Sequence, residues 1–125
     1  MIRALVLCVG VVSALDYDER IDSTLSTSRL FQLLHDSLEN SSVADSIWPT
    51  QYSVISGTVE EGGEISETIE GSVTYTYDIS NVSAGEEPFH LNYSPVAGSA
   101  LSGHSMIEVL PQEAGSYIRW YGHCE

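Results

Sequence analysis

The chain has 125 residues, enough for one domain and too few for two. Its 18 acidic residues face only 4 basic ones, all arginine (Arg3, Arg20, Arg29, Arg119), so the net charge is -14. Such a chain repels phosphate backbones and anionic lipid surfaces, which excludes nucleic-acid binding; the acidity reads as surface composition that favours solubility, and no calcium-loop spacing accompanies it.

The N-terminus has the parts of a secretory signal: Arg3, the apolar run Ala4 to Val12, and the small residues Ser13-Ala14 at a cleavage point. Cleavage after Ala14 implies a secreted or exported protein. The other reading makes Leu5 to Leu15 a backward extension of the first strand, which leaves a cytoplasmic chain. The run is too short to span a bilayer, which takes about 20 apolar residues, so no membrane span is expected. Cys8 lies within this segment and Cys124 is penultimate, so an intrachain disulfide is not expected.

From Asp16 to Asp22, Tyr17, Glu19 and Ile21 alternate with polar neighbours and predict a first strand. Leu30, Phe31, Leu33, Leu34 and Leu38 then recur at helical spacing behind the capping hydroxyls of Ser23 to Ser28, which predicts an amphipathic helix ending near Asn40. A second, shorter helix is expected over Val43 to Trp48, stopped by Pro49.

After Pro49 the apolar period changes to two, and glycine- or proline-bearing turns recur at short intervals. Strands are expected at Tyr52–Val59, Glu64–Glu70, Ser72–Ser80, Phe89–Tyr93, His104–Leu110 and Tyr117–His123, joined as an antiparallel meander. Alternation puts Val73, Tyr75, Tyr77 and Ile79 on one face, with Phe89, Leu91 and Tyr93 as the next apolar set. One short helix cannot cover so large an aromatic face, so a pocket, a partner or a further element must account for the remainder.

The order strand, two helices, six meandering strands resembles the SRPBCC superfamily, the START and pollen-allergen helix-grip proteins, and within it the polyketide cyclase/dehydrase-like group. The likeness is carried by Ile21-Asp22-Ser23 leading into Leu30 to Leu34, by Trp48-Pro49, and by Ile107 to Pro111 followed by Gly115 to Gly122. It implies an α+β fold with a curved sheet of six or seven strands and a single domain over residues 15–125. It also implies a cavity for a hydrophobic or amphipathic small molecule. Members of the family continue into a long C-terminal helix that closes this cavity, and the sequence stops at Glu125 without one. A fragment, two chains closing each other's open concave faces as a homodimer, or the stretch Ala4–Leu15 lying in the groove would each account for that.

The residues expected to line the cavity are Tyr75, Tyr77, Phe89, Leu91, Tyr93, Arg119 and Trp120: large apolar area with a few polar tips, suited to orienting a hydrophobic ligand. An aromatic stripe also makes plain core. Arg119 would clamp a ligand carboxylate, or pair with a strand neighbour such as Glu108. Glu67 alternates with Ile65 and Ile69, which puts a carboxylate on an apolar face where acid or base chemistry arises; the blander reading is an edge strand with a wet inner end. His104 starts a strand beside the loop where helix-grip proteins admit ligand, or is a surface histidine. The scattered histidines His35, His90, His104 and His123 show no paired metal-ligand spacing, so no metal and no cofactor is expected. No nucleophile elbow, phosphate loop or dinucleotide fingerprint occurs. The sequence therefore predicts a binding or transport module, with a cyclase- or dehydratase-like enzyme using Glu67 or His104, or a protein-interaction module, as alternatives.

Overall fold

A computed structural model describes residues 15–71, 73–83, 88–98 and 102–124. The apolar stretch 4–14, read as a signal or as a strand extension, lies outside them. Seven strands form one curled antiparallel sheet in the order β1-β7-β6-β5-β4-β3-β2. They are β1 (Leu15–Ser23), β2 (Ser53–Gly57), β3 (Glu64–Ile69), β4 (Val73–Ser83), β5 (Phe89–Pro95), β6 (Gly103–Gln112) and β7 (Gly115–Cys124). Helix α1 (Thr27–Glu39) links the two edge strands, β1 and β2, by crossing the concave face, where it packs against β2, β5, β6 and β7.

The helix starts where the sequence supplies a cap: the Ser26 hydroxyl accepts from the Arg29 amide at 3.3 Å. Its apolar stripe, Leu30, Phe31, Leu34 and Leu38, is buried on the sheet. Phe31 stacks on Phe89 of β5 with ring centroids 5.4 Å apart. Each such side chain is worth about 1.5–3 kcal/mol when fully buried, and this stripe fixes the helix across the curl.

Only one helix forms between β1 and β2. The second, expected over Val43 to Trp48, is replaced by turns, because side-chain oxygens take the amides that a helix would use. Asn40 Oδ1 accepts from Ser42, Ser37 Oγ from Ile47 and Ser46 Oγ from Trp48. The same segment is stitched to the edge of β2, where the Ser41 amide donates to the Ile55 carbonyl and the Ile55 amide donates to Ser41 Oγ. Trp48 is thereby buried edge-on against Trp120, with ring centroids 5.9 Å apart.

Strand ends also differ from expectation for local reasons. β2 stops at Gly57, whose φ of 149° and close approach to the Glu64 carbonyl, 2.3 Å from where a Cβ would stand, admit no side chain. β3 and β4 join through Glu70 and Gly71, both with positive φ (51° and 72°), as a tight hairpin requires. β4 runs on to Ser83 past an irregularity between Ile79 and Asn81 that bends it within the curl.

Candidate functional site

Register decides which side chains share the concave face. Ile55 stands opposite Glu67 and Glu67 opposite Tyr75; Ile65 faces Tyr77; Ile79 faces Tyr93, which faces Ser105. Leu91, Ile107 and Trp120 form a further row, and Phe89, Val109 and Ile118 another. Tyr77, Phe89, Leu91, Tyr93 and Trp120 are all buried on this face, and Tyr75 packs beside them half-buried. Of the residues expected to line a cavity, the structure therefore brings these six together.

Arg119 is the exception. It alternates with Ile118 and Trp120 and so projects from the convex face, where its guanidinium pairs with Asp18 of β1 at 2.9 Å and lies 4.0 Å from Glu108. It also covers the Tyr121 ring at 4.1 Å. Asp18 is held below the usual carboxylate range by its hydrogen bond to that guanidinium. The pairing reading of Arg119 holds, with a different principal partner, and the ligand clamp does not fit its position.

Glu67 is buried rather than wet, because β3 lies between β2 and β4 and is not an edge. Ser53 Oγ donates to Glu67 Oε2 at 2.6 Å and Tyr77 Oη donates to Oε1 at 3.1 Å. Burial, reinforced by the adjacent carboxyl of Glu67, pushes the Tyr77 hydroxyl far above its ordinary pKa. The Tyr77 and Tyr93 rings meet edge to face with centroids 5.4 Å apart.

From Tyr93 a second polar thread runs through the apolar layer. Trp120 Nε1 donates to Tyr93 Oη at 2.7 Å, and Ser105 Oγ hydrogen-bonds both Tyr93 and Tyr17 of the edge strand. Burial raises the pKa of Tyr93 strongly and that of Tyr17 as well. The concave interior therefore holds two hydrogen-bonded polar centres, one around Glu67 and one around Tyr93. The Trp48 indole N–H is buried and has no hydrogen-bond partner among the described residues. A buried indole donor usually finds an acceptor, and this one is the exception in the layer.

Ser53, Trp48 and Ser105 were not singled out as site residues from the sequence. Alternation held the signal for Ser53, which is two residues before Ile55 and must share its face. Ser105 gave none, because its partner Tyr17 is 88 residues away. His104 is exposed on the convex face, as the surface reading has it.

A curled antiparallel sheet wrapped about a helix, with aromatic and polar groups inside the curl, is a helix-grip-like fold. No protein-family model matches the sequence, and no curated protein matches it. Solved structures do match in fold. Norcoclaurine synthase of Thalictrum flavum, in complex with a transition-state analogue, superposes with a TM-score of 0.64 at 13% identity over 90% of this chain and 76% of that one. Ara h 8.0201 gives 0.60 at 14% over 90% and 77%, and the Aha1 dimer of Colwellia psychrerythraea gives 0.61 at 13% over 86% and 74%. The fold is a helix-grip-like α+β fold, as the sequence resemblance implied.

Proposed function

We propose that the chain is a binding or transport module for a hydrophobic or amphipathic small molecule held between the concave sheet face and α1. The observation that carries this is the concave face itself: a continuous layer of Tyr75, Tyr77, Phe89, Leu91, Tyr93 and Trp120 with a buried carboxyl, Glu67, set into it. Apolar area supplies affinity in such a site, and a few fixed polar groups supply orientation. The likeness in fold to a protein that holds a transition-state analogue supports it further.

Native mass spectrometry of the purified chain tests this. A bound small molecule on the monomer supports it; a bare monomer that also leaves the fluorescence of an apolar probe, anilinonaphthalene sulfonate, unchanged overturns it.

A cyclase- or dehydratase-like reaction is the second reading, favoured by Glu67 alone, since a carboxyl enclosed by apolar residues and hydroxyls is a candidate acid or base. His104 drops out of that reading because it sits on the other face. Turnover that persists in E67Q would remove it. A homodimer or another protein chain at the open concave face is the third reading, and a ligand-free dimer in the same mass spectra would favour it. Export remains the proposal for location, resting on the signal-like residues 1–14. Among the described residues no helix is long and apolar enough to cross a membrane.

A further inference from the structure

The convex face of β1, β7 and β6 carries a feature that a ligand inside the curl does not use. Asp16, His123 and His104 stand directly opposite one another in register, one on each of these adjacent strands. Asp16 and His123 are 107 residues apart, and only the pairing of β1 with β7 and of β7 with β6 makes the three a row. His123 Nδ1 bonds Asp16 Oδ1 at 2.6 Å, and the His104 and His123 rings lie 6.2 Å apart, centroid to centroid. The row borders two hollows of about 310 and 390 Å³ that share His104, Tyr121 and Gly122.

We propose that this row is a binding site for a divalent transition-metal ion, with His104 and His123 as ligands and Asp16 as the carboxylate that orients His123. The chemistry matches on each count. Paired imidazoles with a nearby carboxylate select zinc, copper or nickel over magnesium or calcium. A histidine whose other ring nitrogen is held by a carboxylate is the usual state of a metal-ligating imidazole. Zinc–nitrogen bonds of about 2.0–2.1 Å put two tetrahedral ligands roughly 3.3 Å apart. Directly opposed residues on antiparallel strands have Cβ atoms about 4.5–5.5 Å apart, so a rotation of the exposed His104 ring closes that distance. Asp18, in the neighbouring row of the same face, pairs with Arg119, which leaves Asp16 to His123. A chain of charge -14 also concentrates cations at its surface.

The test is calorimetric titration of zinc chloride into the full, tag-free chain in a non-chelating buffer, repeated with H104A, H123A, D16N and H35A. The last variant removes the histidine of His35, Asp36 and Glu39 on α1, the group whose donor atoms already lie within 4.8 Å of one another. The expected result is one saturable site, lost in H104A and in H123A, weakened about 10- to 100-fold in D16N as removal of an orienting carboxylate does, and unchanged in H35A. A thermal melt that rises with zinc in the unsubstituted chain and not in H104A confirms that the folded protein carries the site. No heat of binding, or binding that survives H104A and H123A, or binding lost instead in H35A, overturns it.

Discussion

The two faces of one sheet are built on opposite principles. The concave face spends its polar groups internally: Glu67 takes hydroxyl donors from Ser53 and Tyr77, and Tyr93 takes the Trp120 indole, so hydroxyl-bearing side chains can stand in an apolar layer. The convex face keeps its polar groups at the surface, as Arg119 with Asp18, Arg20 over the Tyr117 ring and His123 with Asp16. β7 carries both at once, with Trp120 inward and Arg119 and Tyr121 outward, because successive residues of a strand point to opposite sides. Bulk alone therefore does not say which face of this strand is the interior; the partner chemistry does.

Substitutions on β7 break the comparison most sharply. Trp120→Ala, on the concave side, should cost about 3–5 kcal/mol in urea unfolding, since it removes a buried indole in contact with Trp48 and Tyr93. Glu67→Ala should cost about 1–3 kcal/mol by leaving the Ser53 and Tyr77 hydroxyls buried without their acceptor. A double-mutant cycle with Ser53→Ala should recover part of that loss, because the orphaned hydroxyl goes with it.

Alkaline pH probes the same layer. The Tyr77 and Tyr93 pKa values are raised in the folded state, so the folded protein holds these protons after the unfolded chain would release them. Their contribution is complete below about pH 10, the unfolded value, and is lost as pH rises from there toward the folded values. Each tyrosine should steepen the fall in stability by about 1.4 kcal/mol per pH unit in that window, and Tyr77→Phe or Tyr93→Phe should each remove one share. At the small end, Arg119→Ala on the convex side should leave the urea midpoint close to that of the unsubstituted chain, with any residual difference lost in high salt, because both members of its pair with Asp18 are about half exposed.

Much of this was legible in the sequence and some was not, for physical reasons. Strand existence followed from alternation and turn residues, and the pairing order from β2 to β7 followed from short connections, as the hairpins at Glu70-Gly71 and Gln112 to Gly115 illustrate, whereas no short connection announces the pairing of β1 with β7. The expected second helix over Val43 to Trp48 failed because helical propensity is local, whereas the bonds that replaced it run to Ser37 and to β2. Glu67 was placed on the correct face, but its burial depended on the Ser53 and Tyr77 hydroxyls closing on its carboxyl, which alternation does not encode. Arg119 was grouped with Trp120 as a ligand contact although neighbours in a strand point apart. The His104 and His123 pairing was invisible because it is a matter of register between strands, not of spacing along the chain.

The comparison of faces comes down to where an apolar ligand goes. Methyl-resolved NMR during titration with anilinonaphthalene sulfonate locates it directly. If the concave face holds ligand, the methyls of Leu91, Ile107 and Ile118, all buried on that side, shift in a saturable way while that of Met106 on the convex side stays in place. Shifts confined to Met106, or none at any of these methyls, would contradict a ligand held between sheet and helix.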